Sequence, residues 1–174
     1  MGTGQTLLTI LALALLGSLF LTNNRNTLDQ RQAIESAEWE IVASSLATSI
    51  VEKATSLSFD QHTITGDVYT PNDLSTTLGP DGTEGTTPGS DAKFNDIDDY
   101  NGFQKTVSGD TLALPTANFL IKVKVQYVNL NLGTSTIDTS SVKTYHKRLT
   151  VWVTSPSMND TVSYQTVYSY WYFR

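Results

Sequence analysis

Four oxygen-bearing side chains, Asp96, Asp98, Asp99 and Asn101, fall within six residues and run into Gly102. Hard oxygen donors at this spacing suit a calcium ion, and a glycine permits the tight turn that folds a chain around one. The segment is not an EF-hand loop. Its Asn-Gly falls one place late, and the twelfth position is Val107 where a bidentate Glu is needed. The same residues equally serve an Asx-rich turn, in which short polar side chains accept bonds from nearby backbone N–H groups. Sequence leaves both readings open, and calcium is the one cofactor it brings forward.

Other chemistry is sparse. The two histidines, His62 and His146, stand far apart with no metal-ligand spacing around either. There is no nucleophile elbow, phosphate loop or dinucleotide fingerprint. Cysteine is absent altogether, which removes disulfides, thiolate metal sites and thiol nucleophiles. The expectation is a protein without catalytic residues and not an enzyme. A formal net charge of −6 argues against a nucleic-acid partner, whose phosphates need a basic footprint. Asn159-Asp160-Thr161 is an N-x-T sequon. The C-terminal aromatics Tyr164, Tyr168, Tyr170, Trp171, Tyr172 and Phe173 fit core and subunit contacts, or else a carbohydrate platform.

The elements that must position these residues begin with an apolar segment. Gln5 to Asn24 carries no charge, and Leu7 to Leu21 is almost wholly aliphatic. As a helix, twenty residues rise about 30 Å, the thickness of a bilayer's hydrocarbon core. The flanks lack the basic start and small-residue cleavage site of a secretory signal, so a retained membrane helix is expected. Arg25 and Arg31 follow the span, while the acidic, hydroxyl-rich remainder, with 26 Thr and 17 Ser among 174 residues, fits an exported domain.

The helical pattern does not stop at the end of the span. Leu28, Ile34, Ala37, Ile41, Leu46, Ile50, Ala54 and Leu57 recur on a helical period, opposite Asp29, Arg31, Glu35, Glu38, Glu40, Glu52 and Lys53. If continuous from Thr6 to Leu57, the helix is about 78 Å long, with Asn23-Asn24 as its weak point. Thr63 to Thr70 reads as a short strand, and Pro71 to Ala92, including Pro88 and Gly89, as loop. Three alternating strands follow: Asn118 to Leu130, Lys143 to Thr154 and Thr161 to Tyr172. The expected fold is α+β. The amphipathic half of a long N-terminal helix covers the apolar face of a small antiparallel meander.

This arrangement resembles a type IV pilin or pseudopilin. Gly4 followed by Gln5-Thr6-Leu7-Leu8-Thr9 looks like a short prepilin leader and its glycine-ending cleavage site. Asp96 to Gly102, with Lys147 to Val153, is similar to segments of minor pilins of the mannose-sensitive haemagglutinin type. The chain departs from the family at Thr9, where most pilins carry a Glu, and in lacking a basic leader and paired cysteines. The resemblance implies a leader at 1–4 cut between Gly4 and Gln5 and a membrane or filament-core helix at 5–27. An amphipathic half at 28–58, a variable region at 59–117 and a three-stranded sheet at 118–174 complete the division. It further implies a subunit that sits in the cytoplasmic (inner) membrane, is handled by prepilin peptidase and pilus assembly machinery, and polymerises with copies of itself into an extracellular surface filament. The assembly interface is then Leu7, Leu8, Ile10, Leu11, Leu13, Leu15, Leu16, Leu19, Phe20 and Leu21. The alternative is a single-pass anchored β domain that binds a ligand or envelope component as a monomer.

Overall fold

The computed structural model describes residues 2–82, 84–85, 90–112 and 117–172, the side chain of Tyr172 excepted. Met1, Pro88, Gly89 and Phe173, which enter the sequence reading above, lie outside them. The chain forms two units, residues 1–38 and 39–174. The first is wholly helical from Thr3, where helix α1 (Thr3–Thr55) begins. Asn23-Asn24 does not break it. Thr22 and Thr27 donate their hydroxyls to the carbonyls of Ser18 and Asn23, so polar side chains are satisfied on the helix itself.

In the second unit, α1 from Trp39 onward packs on an antiparallel sheet, giving an α+β fold. The sheet-facing stripe is Trp39, Ala43, Ala47, Ile50 and Ala54, all buried and spaced by four, four, three and four. The three alanines in that stripe lose little side-chain entropy on burial. Trp39 meets Phe119 with ring centroids 6.4 Å apart, and the Thr55 and Tyr168 hydroxyls lie 2.7 Å apart. Of the stripe expected from the sequence, Leu46 and Leu57 also pack against this core. Ile50 and Ala54 point inward as anticipated, whereas Ile34 and Ile41 are exposed.

Among the described residues the sheet has five strands rather than three. They are β1 (Gln104–Ser108), β2 (Asn118–Asn131), β3 (Thr136–Thr139), β4 (His146–Thr154) and β5 (Val162–Ser169). Their order is β1-β2-β4-β5, with β3 folded back on the end of β2 through Val128↔Thr139 to Asn131↔Thr136. The two additional strands are short, and β3 is exposed throughout, so neither carries a strong alternation of apolar and polar residues. Rows on one face cross the sheet in register: Val123 opposite Val151 opposite the exposed Tyr164, Val125 opposite Leu149 opposite Thr166, and Tyr127 opposite Lys147 opposite Tyr168.

Thr63 to Thr70 is not a strand. Helix α2 (Gln61–Ile64) starts there in a capping box: the Asp60 N–H donates to Thr63 Oγ1 at 3.0 Å, and the His62 N–H donates to Asp60 Oδ1 at 3.1 Å. These local bonds outweigh the β propensity of Thr, Ile and Val in the segment.

Candidate functional site

Lys147 is the one charged residue on the inward face of β4, in phase with Leu149, Val151 and Val153. Its side chain is 0% exposed, so each ammonium proton must find an acceptor inside the protein. All three do. Nζ donates to the Phe59 carbonyl at 2.8 Å, to Asp60 Oδ2 at 2.7 Å and to Asp98 Oδ1 at 2.9 Å. It also lies 4.6 Å from the centre of the Phe59 ring and 5.3 Å from that of Tyr127, within cation–π range of both.

Backbone pairing brings the carboxylates to this lysine. The Ser58 N–H donates to the Asn95 carbonyl, and the Ile97 N–H donates to the Ser58 carbonyl. This small parallel bridge lays the 95–98 segment beside Phe59-Asp60. Phe94, Tyr100 and Phe103 then anchor the segment edge to face, with ring centroids 5.0–5.7 Å apart. Gly102, at φ +81, reverses the chain into β1, a conformation open to glycine without strain.

Asp60 is the most heavily bonded acid. Besides Lys147 it accepts the Ser75 N–H at 3.1 Å, the Ser75 hydroxyl at 2.8 Å and the His62 N–H. The Tyr127 hydroxyl, which donates to the Ser75 carbonyl at 2.8 Å, lies 3.3 Å from Asp60 Oδ2. Burial pushes the Asp60 carboxyl up, but Lys147 and the Ser75 donors outweigh it and hold the pKa near about 2. It is a fixed carboxylate. Burial and the Asp60 charge together raise the Tyr127 hydroxyl, which stays protonated and donating.

The other acids behave differently. Burial, a hydrogen bond with Asp98 and the negative charge of its neighbours push Asp96 up to about 9, so it carries a proton at neutral pH. Asp98 is also raised by burial, against the pull of Lys147. Asp99 is raised to about 6 by burial, with Glu84 adding to the rise and two backbone N–H donors opposing it.

The four residues of the calcium expectation, Asp96, Asp98, Asp99 and Asn101, are each engaged by groups of the protein itself. Asp99 Oδ2 accepts the N–H groups of Asn95 and Asp96 at 2.9 and 3.1 Å, and Asp96 Oδ1 accepts that of Asp99 at 3.2 Å. Asn101 spends its amide on the Leu78 carbonyl and its oxygen on the Val125 N–H. Asp98 is paired with Lys147. Among the described residues, no group of three or more His, Cys, Asp or Glu side chains is placed to hold a metal ion. The Asx-turn alternative is the one the hydrogen bonds show, and the cation beside it is an ammonium.

Sequence reasoning picked out Asp98 and Asp96 but missed Lys147 and Asp60. The signals were present: Lys147 shares the parity of the core residues of β4, and Asp60-x-x-Thr63 is a capping sequence. The two histidines stay apart as expected, His62 exposed on α2 beside Asp60 and His146 half-buried at the start of β4. Of the C-terminal aromatics, Tyr168 and Tyr170 are buried, and the Tyr170 hydroxyl accepts the Val68 N–H at 3.0 Å. Tyr164 and Trp171 are largely exposed.

The second candidate region is the apolar segment of α1. Leu7, Leu8, Ile10, Leu11, Leu13, Leu15, Leu16, Leu19, Phe20 and Leu21 are each 58–72% exposed. The helix is long and apolar enough to cross a membrane, near the N-terminus. Gly4 and Gln5 lie in its first turn. No protein-family model, curated protein or solved structure matches the chain.

Proposed function

We propose that the protein is the structural subunit of a type IV pilus-like surface filament, inserted in the cytoplasmic membrane by α1 and then polymerised with copies of itself through that helix. The supporting observation is where exposed apolar surface continues. An anchor alone needs apolar residues only across the bilayer. Here Leu28, Ile34 and Ile41, beyond the uncharged span, remain 53%, 62% and 71% exposed. In a polymer such residues are covered by neighbouring helices, and each square ångström of apolar area buried contributes about 25 cal/mol before ordering costs. Prepilin peptidase and assembly machinery are the partners this reading implies.

The experiment that separates filament from anchor substitutes Ile34 and Ile41 together by Asp. Exposed positions tolerate such changes within about 0.5 kcal/mol of folding stability, and neither lies in the uncharged span. The filament reading expects normal membrane insertion with loss of surface filaments. Wild-type filaments that contain no copy of this chain contradict it and leave the monomeric anchored domain, whereas variant filaments at wild-type number and length remove Ile34 and Ile41 from the assembly interface.

A further inference from the structure

Lys147 and its carboxyls form more than an ion cluster. A buried amine is held against one carboxyl that shares a proton with a neutral acid, while a second, firmly ionised carboxylate sits on the amine's other side. Those are the parts an amide condensation requires: a nucleophile, an electrophile, a proton donor and a proton acceptor. We propose that Lys147 Nζ and the Asp98 side chain condense to an intramolecular amide bond, joining β4 to the turn at 98–100, with Asp96 carrying the protons.

The step balances without any oxidant or co-reactant. The ammonium gives one proton to the Asp98 carboxylate it touches, freeing the nitrogen lone pair and leaving Asp98 as a neutral acid beside Asp96. Nζ attacks Asp98 Cγ and the N–C bond forms. The nitrogen loses its second proton to Asp96 as Asp96 hands its own proton to the departing oxygen, and the C–O bond breaks as that oxygen leaves as water. Asp60 ends as a carboxylate and Asp96 as an acid, as they began. One lysine ammonium and one aspartate carboxylate have become an amide and one water.

Asp98 rather than Asp60 is the electrophile for a physical reason. Asp60 accepts bonds from Ser75, His62 and Lys147, which hold it as a carboxylate, the less reactive form towards an amine. Asp98 faces the proton of Asp96. The 2.9 Å from Nζ to Asp98 Oδ1 is the separation of reactants, not of a bond. Holding both groups in one place replaces a bimolecular encounter by an effective concentration of roughly 10⁵ M or more. The Phe59 and Tyr127 rings flank the amine, so attack is confined to the carboxyls it already touches. This inference stands apart from the filament reading and is tested without it.

The test is intact mass measurement of the full chain purified in detergent, followed by tandem mass spectrometry of its proteolytic fragments. The expected result is a deficit of one water and a branched fragment linking the Asp98 and Lys147 peptides. A chain kept in denaturant from synthesis should show the full mass, because the groups meet only in the fold. Asp98→Ala should restore the full mass, and Asp96→Asn should slow bond formation by about 100-fold or more, as expected for loss of a general acid. Folded wild-type protein at full mass overturns the proposal. So does a water deficit that maps to a succinimide at Asp81-Gly82, or a branch from Lys147 to Asp60. Bond formation at the wild-type rate in Asp96→Asn removes Asp96 from the mechanism.

Discussion

The Lys147 ammonium lies 2.7 Å from Asp60 Oδ2, and both side chains are completely buried. Two charges in that position are worth having only if each remaining proton and lone pair is satisfied. Phe59, Asp98, Ser75 and Tyr127 supply those partners, so β4, the α1–α2 junction, the 95–101 segment and the loop at Ser75 are tied at one point.

In the chain before any Lys147–Asp98 bond forms, removing the cation should therefore be severe. Lys147→Met keeps much of the side-chain volume but leaves Asp60 buried without its counter-ion. We expect a loss of about 3–5 kcal/mol, read as a lowered melting temperature of the detergent-purified chain by near-ultraviolet circular dichroism. A loss below 1 kcal/mol would mean the cluster is not held in the buried geometry described.

The acids give stability a definite dependence on pH. Asp96 and Asp99 have folded pKa values above the unfolded value of 3.8, at about 9 and about 6. Their contribution is fully present below pH 3.8 and is lost as pH rises through 6 and then towards 9. Asp60, held near 2, contributes above 3.8 and loses that contribution as pH falls through about 2. Stability should consequently decline from pH 5 to pH 8, each proton difference being worth at most about 1.4 kcal/mol per pH unit. Asp96→Asn cannot ionise beside Asp98, Asp99 and Lys147, and its melting temperature should fall less over that interval. Parallel falls in wild type and variant would show that Asp96 is not the buried acid.

Leu13→Glu tests the apolar segment itself. A charge at the centre of a membrane-spanning helix costs about 3 kcal/mol by insertion scales, with Asp as the measured guide. The expected outcome is loss of both membrane insertion and surface filaments, in contrast to the Ile34, Ile41 pair, which spares insertion. Normal membrane insertion of Leu13→Glu would take the 7–21 segment out of the bilayer.

Processing is a separate expectation of the filament reading. N-terminal sequencing of surface-extracted protein should begin at Gln5, following cleavage after Gly4. A chain beginning at Met1 or Gly2 would mean that the subunit, if it assembles, does so uncleaved.

The helix, the α+β class and the three longest strands are legible in the sequence because period and length both point the same way there. Less so is which helix face is buried. Ile41 is more apolar than Ala43 or Ala47, yet the alanines are the buried residues, because fit in a close-packed core rather than hydrophobicity alone decides the contact. The strands β1 and β3 depend on pairing with β2 and have little pattern of their own. The acidic run was visible as a cluster of oxygen donors, but its cation was not. Lys147 lies 49 residues from Asp98 in sequence, and only the register of β4 on β2 brings it there.

The most direct measurement for the filament account is electron cryo-microscopy of sheared surface material, with mass spectrometry to identify the polymer. The account predicts filaments built of this chain, with residues 7–21 of adjacent subunits packed against one another along the axis and Ile34 and Ile41 covered by neighbours. Finding the protein only as a monomer in the membrane fraction, with its sheared surface material free of it, would contradict the account.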